Sequence, residues 1–460
     1  MSAVARWLDP QACPTDRPPL AAMAPATRGL HEALDAHARR AGLPYLHPDE
    51  PTVQLDLFGS ARAIAWQEAK AASLFAAAGC WSELPHLYAR YGTTTTALLI
   101  GKLKALESAG AVLACDSGMQ ATAIVFDVLM TPGSHAVMQR QTYNKTTTYL
   151  QWLAERVGGS VTIVDDGDHA ALAAAIRPDT RIVFAETFTN PLVRAQDVTG
   201  LVALVRAARA TAPELRLIVD STIATPWAFA TPLLAQGVDV VLASGTKALG
   251  GTDRDLWGYI ATRDTPLANA AMDLLAMRGG TLDWRRAEAI VSGWDGVDAA
   301  HARRSATAIR VAAFLAAHPK VGEVFHPSLP THPDAAVIAA QYLRHGSLLS
   351  FRVAGADEDR TRHVADVLAT TLIVRYALSF DGMATKVNHH QTVSEYFTPQ
   401  DQLRRNGFDR LIRLGIGLED ADDLIAALNW TLHHADAITP EDVTAWQEAR
   451  SASLLGAASG

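Results

Sequence analysis

The sequence predicts an α/β protein: a mostly parallel sheet with helices on both faces, followed by a smaller α+β unit. Three observations predict it. From about residue 94, short apolar runs alternate with longer helical stretches, the pattern of strand–helix–strand units. Polar residues stand just past the ends of several of those runs, at Asp116, Ser117, Glu186, Asp220, Ser244 and Lys247. After Arg286 the alternation gives way to a mixture of helices and strands. In an open α/β sheet the ligand crevice lies beyond the carboxyl ends of the strands, so these polar residues mark the expected site.

Residues 1–93 read as an N-terminal helical extension or arm. The first 20 residues are Pro-rich and expected to be loose. Thr27–Arg40 has apolar residues at helical spacing, and the Ala-rich Ala61–Ala78 precedes Gly79, a plausible helix stop. Residues 94–290 read as the large domain. Its candidate strands are Ala111–Leu113, His135–Met138, Val161–Val164, Ile182–Ala185, Leu217–Val219, Val238–Ala243 and Tyr259–Ala261. Ala121–Met130, Asp168–Ile176 and Val198–Ala210 are helix candidates between them. Residues 291–440 read as a smaller C-terminal domain. It has a helix at His301–Ala317, strands at Ser347–Val353 and Leu372–Leu378, and a helix at Asp420–His434 that opens on acidic residues. Residues 441–460 are rich in Ala, Ser and Gly and are expected to end in a loose tail.

Composition bounds the function. Of 460 residues, 49% are hydrophobic and 19% charged, as in a globular protein with a sizeable core. A net charge of −8 offers no positive field for nucleic acid or an anionic membrane. Cys13, Cys80 and Cys115 build neither a disulfide framework nor a paired metal site, which points to a reducing compartment. No targeting leader is evident, and no apolar run is long enough to cross a bilayer, so the expected location is the cytoplasm.

Three segments could carry chemistry. Ser244-Gly245-Thr246-Lys247 follows the apolar run Val238–Ala243 and precedes Gly250-Gly251. A lysine at the end of a buried strand is costly unless neutral, paired or covalently used. The plain alternative is a surface loop lysine. Leu217-Ile218-Val219-Asp220 ends another strand on a carboxylate, which needs a partner if buried and caps a turn if not. Asp116-Ser117-Gly118-Met119 leads into a helix, where free N–H groups and a glycine suit a phosphate.

Taken together and in order, these segments are far more specific. With Tyr143, Glu186-x-x-x-Asn190-Pro191 and the C-terminal Arg413-Leu414-Gly415-Ile416-Gly417-Leu418-Glu419-Asp420, the chain resembles the trans-sulfuration, or Cys/Met metabolism, family of pyridoxal-phosphate enzymes. The resemblance runs from about Tyr88 to Leu432. It includes Tyr88-Ala89-Arg90, Ser117-Gly118-Met119, Val219-Asp220-Ser221-Thr222 and Ala224-Thr225-Pro226.

The resemblance implies fold type I, with a mostly parallel seven-stranded sheet in the large domain, and pyridoxal 5'-phosphate as cofactor. Lys247 would hold the cofactor as a Schiff base and shuttle protons. Asp220 would pair with the pyridinium nitrogen, Tyr143 would stack on the ring and act in acid-base catalysis, and Asn190 would meet the ring hydroxyl. Ser117, Gly118, Met119, Ser244 and Thr246 would bind the phosphate. Tyr88 and Arg90 would reach the phosphate of a neighbouring subunit, which implies a homo-oligomer, a tetramer built from dimers sharing active sites. Ser379 and Arg413 would hold the substrate carboxylate.

Several positions depart from the family pattern. Asn144-Lys145 replaces a glycine pair after the stacking tyrosine. The family's Ser-Leu-Gly-Gly-x-Glu-Ser reads Ser379-Phe380-Asp381-Gly382-Met383-Ala384-Thr385, and its Gly-His-Ser-Asp reads Gly251-Thr252-Asp253-Arg254. Lys145 and Asp381 are therefore candidate substrate contacts. The implied activity is γ-elimination, a lyase reaction, on a Cγ-substituted amino acid of homoserine or methionine type. γ-Replacement and β-elimination stand as alternatives. A Ser-x-x-Lys hydrolase is a remote rival, because its Ser-Asp-Asn and Lys-Thr-Gly partners are absent. His389-His390 and His433-His434 lack a spaced third ligand and read as surface histidines.

Overall fold

The computed structural model describes residues 21, 23–41, 54–55, 57, 59–76, 79–84 and 86–456. The Pro-rich start, Cys13 and the last four residues lie outside the described residues. Helices Pro25–Ala41 and Ser60–Ala76 occupy the extension, and Gly79 follows with φ at 120°.

All seven candidate strands form. They are β1 (Ala111–Cys115), β2 (His135–Gln139), β3 (Ser160–Val164), β4 (Thr180–Glu186), β5 (Arg216–Asp220), β6 (Val240–Ala243) and β7 (Gly258–Thr262). They make one sheet in the order β1-β7-β6-β5-β4-β2-β3, in which β7 alone runs antiparallel to the other strands. Apolar side chains alternate between two cores. Val112, Val137, Val183, Leu217 and Val241 face one core, while Leu113, Met138, Phe184, Ile218 and Leu242 face the other. Burial on both faces is why these strands read as unbroken apolar runs rather than as alternating ones.

A second sheet holds β8 (Val321–Phe325), β9 (Leu348–Val353), β10 (Arg375–Tyr376), β11 (Lys386–His389) and β12 (Ile412–Gly415), in the order β10-β11-β12-β9-β8. The strand expected over Leu372–Leu378 shrinks to two residues, with Leu372 at a φ of 70°. Its core packs against helices that include Glu358–Ala369 and Ala421–His434.

One helix, Trp284–Ala317, serves both sheets. Ala287 and Ile290 pack in the large core, and Ala308, Val311, Ala312 and Leu315 pack in the second. At 1.5 Å per residue it is about 50 Å long. It begins well before the expected His301, capped by Asp283, whose carboxylate accepts from the backbone N–H groups of Arg285 and Arg286. Near the C-terminus, Pro440–Leu455 is helical rather than loose. Thr439 and Asp442 form a capping box and Pro440 occupies the first turn, signals that outweigh the Ala/Ser-rich composition. No helix among the described residues is long and apolar enough to cross a membrane.

Candidate active site

The parallel strands deliver their carboxyl ends to one side, and a cavity of about 650 Å³ opens there. Its walls include Ser117, Gly118, Met119, Tyr143, Lys145, Glu186, Asn190, Asp220, Ser244, Thr246 and Lys247 from the large sheet and its loops. Ser379, His390 and Arg413 come from the second sheet and its connections.

One end is a cradle of small residues. Ser117 caps the helix Gly118–Leu129, its Oγ accepting from Gln120 N–H at 3.1 Å. Gly118 is required by close packing: a Cβ there would lie 2.6 Å from Ser244 Cβ. Gly258 is required for the same reason, because its Cβ would fall 2.6 Å from the Gly118 Cα. Thr246 Oγ1 both accepts from the Trp257 N–H and donates to the Trp257 carbonyl, which locks the turn before Lys247. Exposed N–H groups at a capped helix start, beside two hydroxyls, are the chemistry of an anion site.

The floor carries two acids. Glu186 and Asp220 end adjacent parallel strands in register. Asp220 accepts from Thr222 N–H at 2.8 Å, and Glu186 accepts from Tyr143 N–H at 2.7 Å. Neither has a cationic partner among the described residues. Burial raises both pKa values, and the neighbouring Asp220 carboxylate pushes Glu186 up further. An acid pair aimed into a cavity without a counter-charge suits a ligand that brings an N–H or a positive charge.

The cavity also carries two cations. Lys247 Nζ donates to Ser379 Oγ and stands 5.0 Å from the centre of the Phe380 ring. Burial lowers its pKa. Arg413, on β12, is 3% exposed and donates to Asn190 Oδ1 at 3.1 Å and to the Leu378 carbonyl at 2.6 Å. Burial lowers its pKa to about 10, so it stays charged at neutral pH. It forms no pair with Glu419, which instead accepts from Thr385 N–H and Oγ1.

Tyr143 is half-exposed at the N-terminus of the helix Asn144–Arg156, and Lys145 is exposed at the cavity wall. Two sequence expectations need correction. Asp381 does not reach the cavity: it is buried, and its Oδ1 accepts from Ser347 Oγ. His389 and His390 are buried rather than on the surface, because β11 is flanked by strands on both sides and the next helix, His390–Ser394, turns over the cavity. His433 and His434 are exposed as expected. Tyr88 and Arg90 do not line the cavity; the Arg90 guanidinium lies 5.2 Å from the Tyr88 ring centre, and both side chains are exposed.

Sequence reasoning gave Glu186 no role, although its place after a strand end was the available signal. It also missed Phe380, Phe188 and the segment Val393–Thr398, which line the cavity.

A two-sheet α/β fold with a part-buried lysine, an acid pair and a helix-start anion cradle at the strand ends points to a class: enzymes that hold a phosphorylated aldehyde cofactor by an amine. The residues present fit such a group: the Gly118–Ser244 cradle would suit its phosphate, and Asp220 would suit its ring nitrogen. The chain belongs to the Cys/Met metabolism PLP-dependent enzyme family, whose model matches residues 68–433. It is 33% identical over 341 residues to cystathionine gamma-synthase 1, chloroplastic, of Arabidopsis thaliana, covering 74% of this chain and 58% of that protein. It is 30% identical over 349 residues to the L-methionine gamma-lyase of Fusobacterium nucleatum, covering 75% of this chain and 86% of that one. Among solved structures, cystathionine gamma-lyase from Lactobacillus plantarum, complexed with L-serine, superposes with a TM-score of 0.70 at 27% identity, covering 77% of this chain and 90% of that chain. The fold is fold type I and the cofactor is pyridoxal 5'-phosphate.

Proposed function

We propose that this protein is a lyase that catalyses γ-elimination on a Cγ-substituted L-amino acid of homoserine or methionine type. The observation that supports it best is that part-buried Lys247, bonded to Ser379, shares one cavity with Arg413 and the Asp220–Glu186 pair. Bound pyridoxal phosphate supplies an electron sink for charge developing at Cα and Cβ.

The chain's own groups do the rest. The start of the helix Gly118–Leu129, with Ser244 and Thr246, holds the phosphate. Asp220 pairs with the ring nitrogen and keeps it protonated. Arg413 has two N–H groups committed to Asn190 and Leu378, which leaves others free to grip the substrate α-carboxylate beside Ser379. This grip presents Cα to Lys247. Burial, which lowers the Lys247 pKa, favours the neutral amine that would take the Cα proton and return it elsewhere. Tyr143 would cover the ring, and Lys145, also at the cavity wall, would assist a departing anion. Tyr88 and Arg90, unused by this cavity, serve the neighbouring subunit's phosphate in a homo-oligomer, a tetramer built from dimers.

γ-Replacement is the second reading, favoured by the likeness to a protein named cystathionine gamma-synthase. The deciding experiment loads the purified protein with pyridoxal phosphate and offers O-acyl- and O-phosphohomoserine, cystathionine and methionine. Elimination releases ammonia and 2-oxobutanoate in equal amounts without a second substrate. Consumption only with an added thiol, and no ammonia, selects replacement; pyruvate selects β-elimination. A protein that takes up no cofactor refutes the whole reading.

A further inference from the structure

Behind Lys247 lies a buried cluster that the proposed mechanism does not use. Arg304, near the middle of the long helix Trp284–Ala317, is 1% exposed yet pairs directly with no carboxylate among the described residues. Its Nε donates to the Gly382 carbonyl at 2.9 Å and its Nη2 to the Gly251 carbonyl at 2.6 Å, while Nη1 has no partner. Those two carbonyls belong to the two loops that meet at the cavity. Gly251 N–H donates to the Lys247 carbonyl at 2.8 Å, so the first loop is the turn that carries the lysine. Gly382 lies three residues beyond Ser379, whose hydroxyl accepts from Lys247 Nζ. The contacts close a ring: Lys247 backbone, Gly251, Arg304, Gly382, Ser379 and back to the Lys247 amine.

A second tie runs beside the first. Lys386 Nζ makes an ion pair with Asp253 and also donates to the Asp381 carbonyl. Asp253 and Asp381 both hold φ near 60°, a conformation costly for a residue with a Cβ and kept only where surroundings fix it. Gly382 admits the approach: a Cβ there would fall 2.0 Å from Asp253 Oδ2. Both loops are stretches where the sequence departs from the family pattern, and Asp253 and Asp381 are among the departing residues.

We propose that Arg304, seconded by the Lys386–Asp253 pair, is a positioning residue that fastens the Ser379–Gly382 loop to the Lys247 turn and so holds the Ser379 hydroxyl against the lysine amine. The planar fork suits this task, because it reaches two carbonyls on different loops at once, which an ammonium on a flexible stem does not. The cluster also sets the surroundings of the amine. Besides burial, the charged groups that act on Lys247 are Asp381, Arg413, Lys386 and Asp253, and all but Arg413 belong to these two loops or their tie. The proposal rests on the reading of Lys247 as the cofactor lysine.

The test uses full-length Arg304→Met and Arg304→Lys, before and after removal of pyridoxal phosphate. In Arg304→Met, amide hydrogen exchange rises about tenfold in segments 248–256 and 378–388 together, while other segments keep their wild-type rates. In the cofactor-free chain, the pH midpoint for acylation of Lys247, followed by mass spectrometry of its peptide, rises towards that of an ordinary lysine as water enters. Arg304→Lys recovers protection in at most one segment. Exchange that rises in one segment only, in neither, or uniformly along the chain overturns the proposal, as does an unmoved midpoint. If Arg304→Met does not fold, Asp253→Asn and Lys386→Met replace it: each loosens both segments, and the double variant loosens them no further than either single one. Greater loosening in the double variant overturns the pairing. A wild-type protein that binds no pyridoxal phosphate refutes the site reading instead, and leaves the exchange results standing on their own.

Discussion

Arg413→Lys separates carboxylate recognition from every other duty of the site. The guanidinium is fixed by Asn190 Oδ1 at 3.1 Å and by the Leu378 carbonyl at 2.6 Å, so its remaining N–H groups are already aimed. With a pKa near 10 it is charged at pH 8, and a lysine there keeps the charge while losing the fork. Losing one of two hydrogen bonds to a carboxylate costs about 1.5–3 kcal/mol, which is roughly a 10- to 150-fold weaker complex. Binding is isolated from turnover with L-norvaline, which carries no leaving group, followed by the change in the visible spectrum of the loaded protein. Butylamine, its counterpart without the carboxylate, is the control. The expected result is a rise of that size in the norvaline dissociation constant, and about threefold or less change for butylamine. Equal losses for both ligands would mean that Arg413 only shapes the cavity, and would refute its role in carboxylate binding.

Three further outcomes follow from the geometry. Glu107 is fully buried with Tyr259 as its donor, and burial raises its pKa to about 7. A raised acid is a cost that is absent below its unfolded pKa and complete above the folded one, so Glu107→Gln should gain about 3 kcal/mol against urea at pH 8.5 and nothing at pH 4.5; no gain at pH 8.5 would contradict the assignment. Gly118→Ala drives a Cβ into Ser244 and should cost about 1–3 kcal/mol of stability while weakening pyridoxal-phosphate uptake, read by urea unfolding and by absorbance titration. Asp220→Asn should act with opposite signs: it relieves the acid pair and stabilises the cofactor-free chain at pH 8, yet it weakens cofactor binding; a loss in both measurements would show that Asp220 is structural.

The seven-stranded sheet was legible because each of its strands is short, apolar and bounded by turns, and because both faces are buried. Lys247, Asp220, Gly118 and Arg413 were legible because each ends or follows such a strand, or sits in a contiguous motif. What was not legible depends on contacts between segments distant in sequence. Asp381 looks like a substrate contact beside Ser379, but its left-handed backbone turns it away towards Ser347. His389-His390 carries no periodic signal of burial, since one residue ends a central strand and the other starts the next helix. The long helix was read only from His301 because its first half is polar on much of its surface. Arg304 offered no local sign at all, since both of its partners are backbone carbonyls far away in the chain.

Stability and function pull against each other in this cavity. Sheet order places Glu186 and Asp220 side by side at the ends of β4 and β5, where two buried carboxylates repel. The next strand, β6, delivers Lys247, and β12 delivers Arg413, two cations whose charge burial also disfavours. A direct ion pair between the walls would relieve both sides, but Lys247 turns instead to Ser379, and Arg413 to Asn190 and Leu378. The acids and the cations are thus held apart at a mutual cost that only a third body removes. It must be long enough to reach from the helix-start cradle to the lysine, anionic at one end, and able to present an N–H to Asp220 along the way. The burial that disfavours both sets of charges would therefore favour a cofactor with those three features over a ligand lacking any one of them.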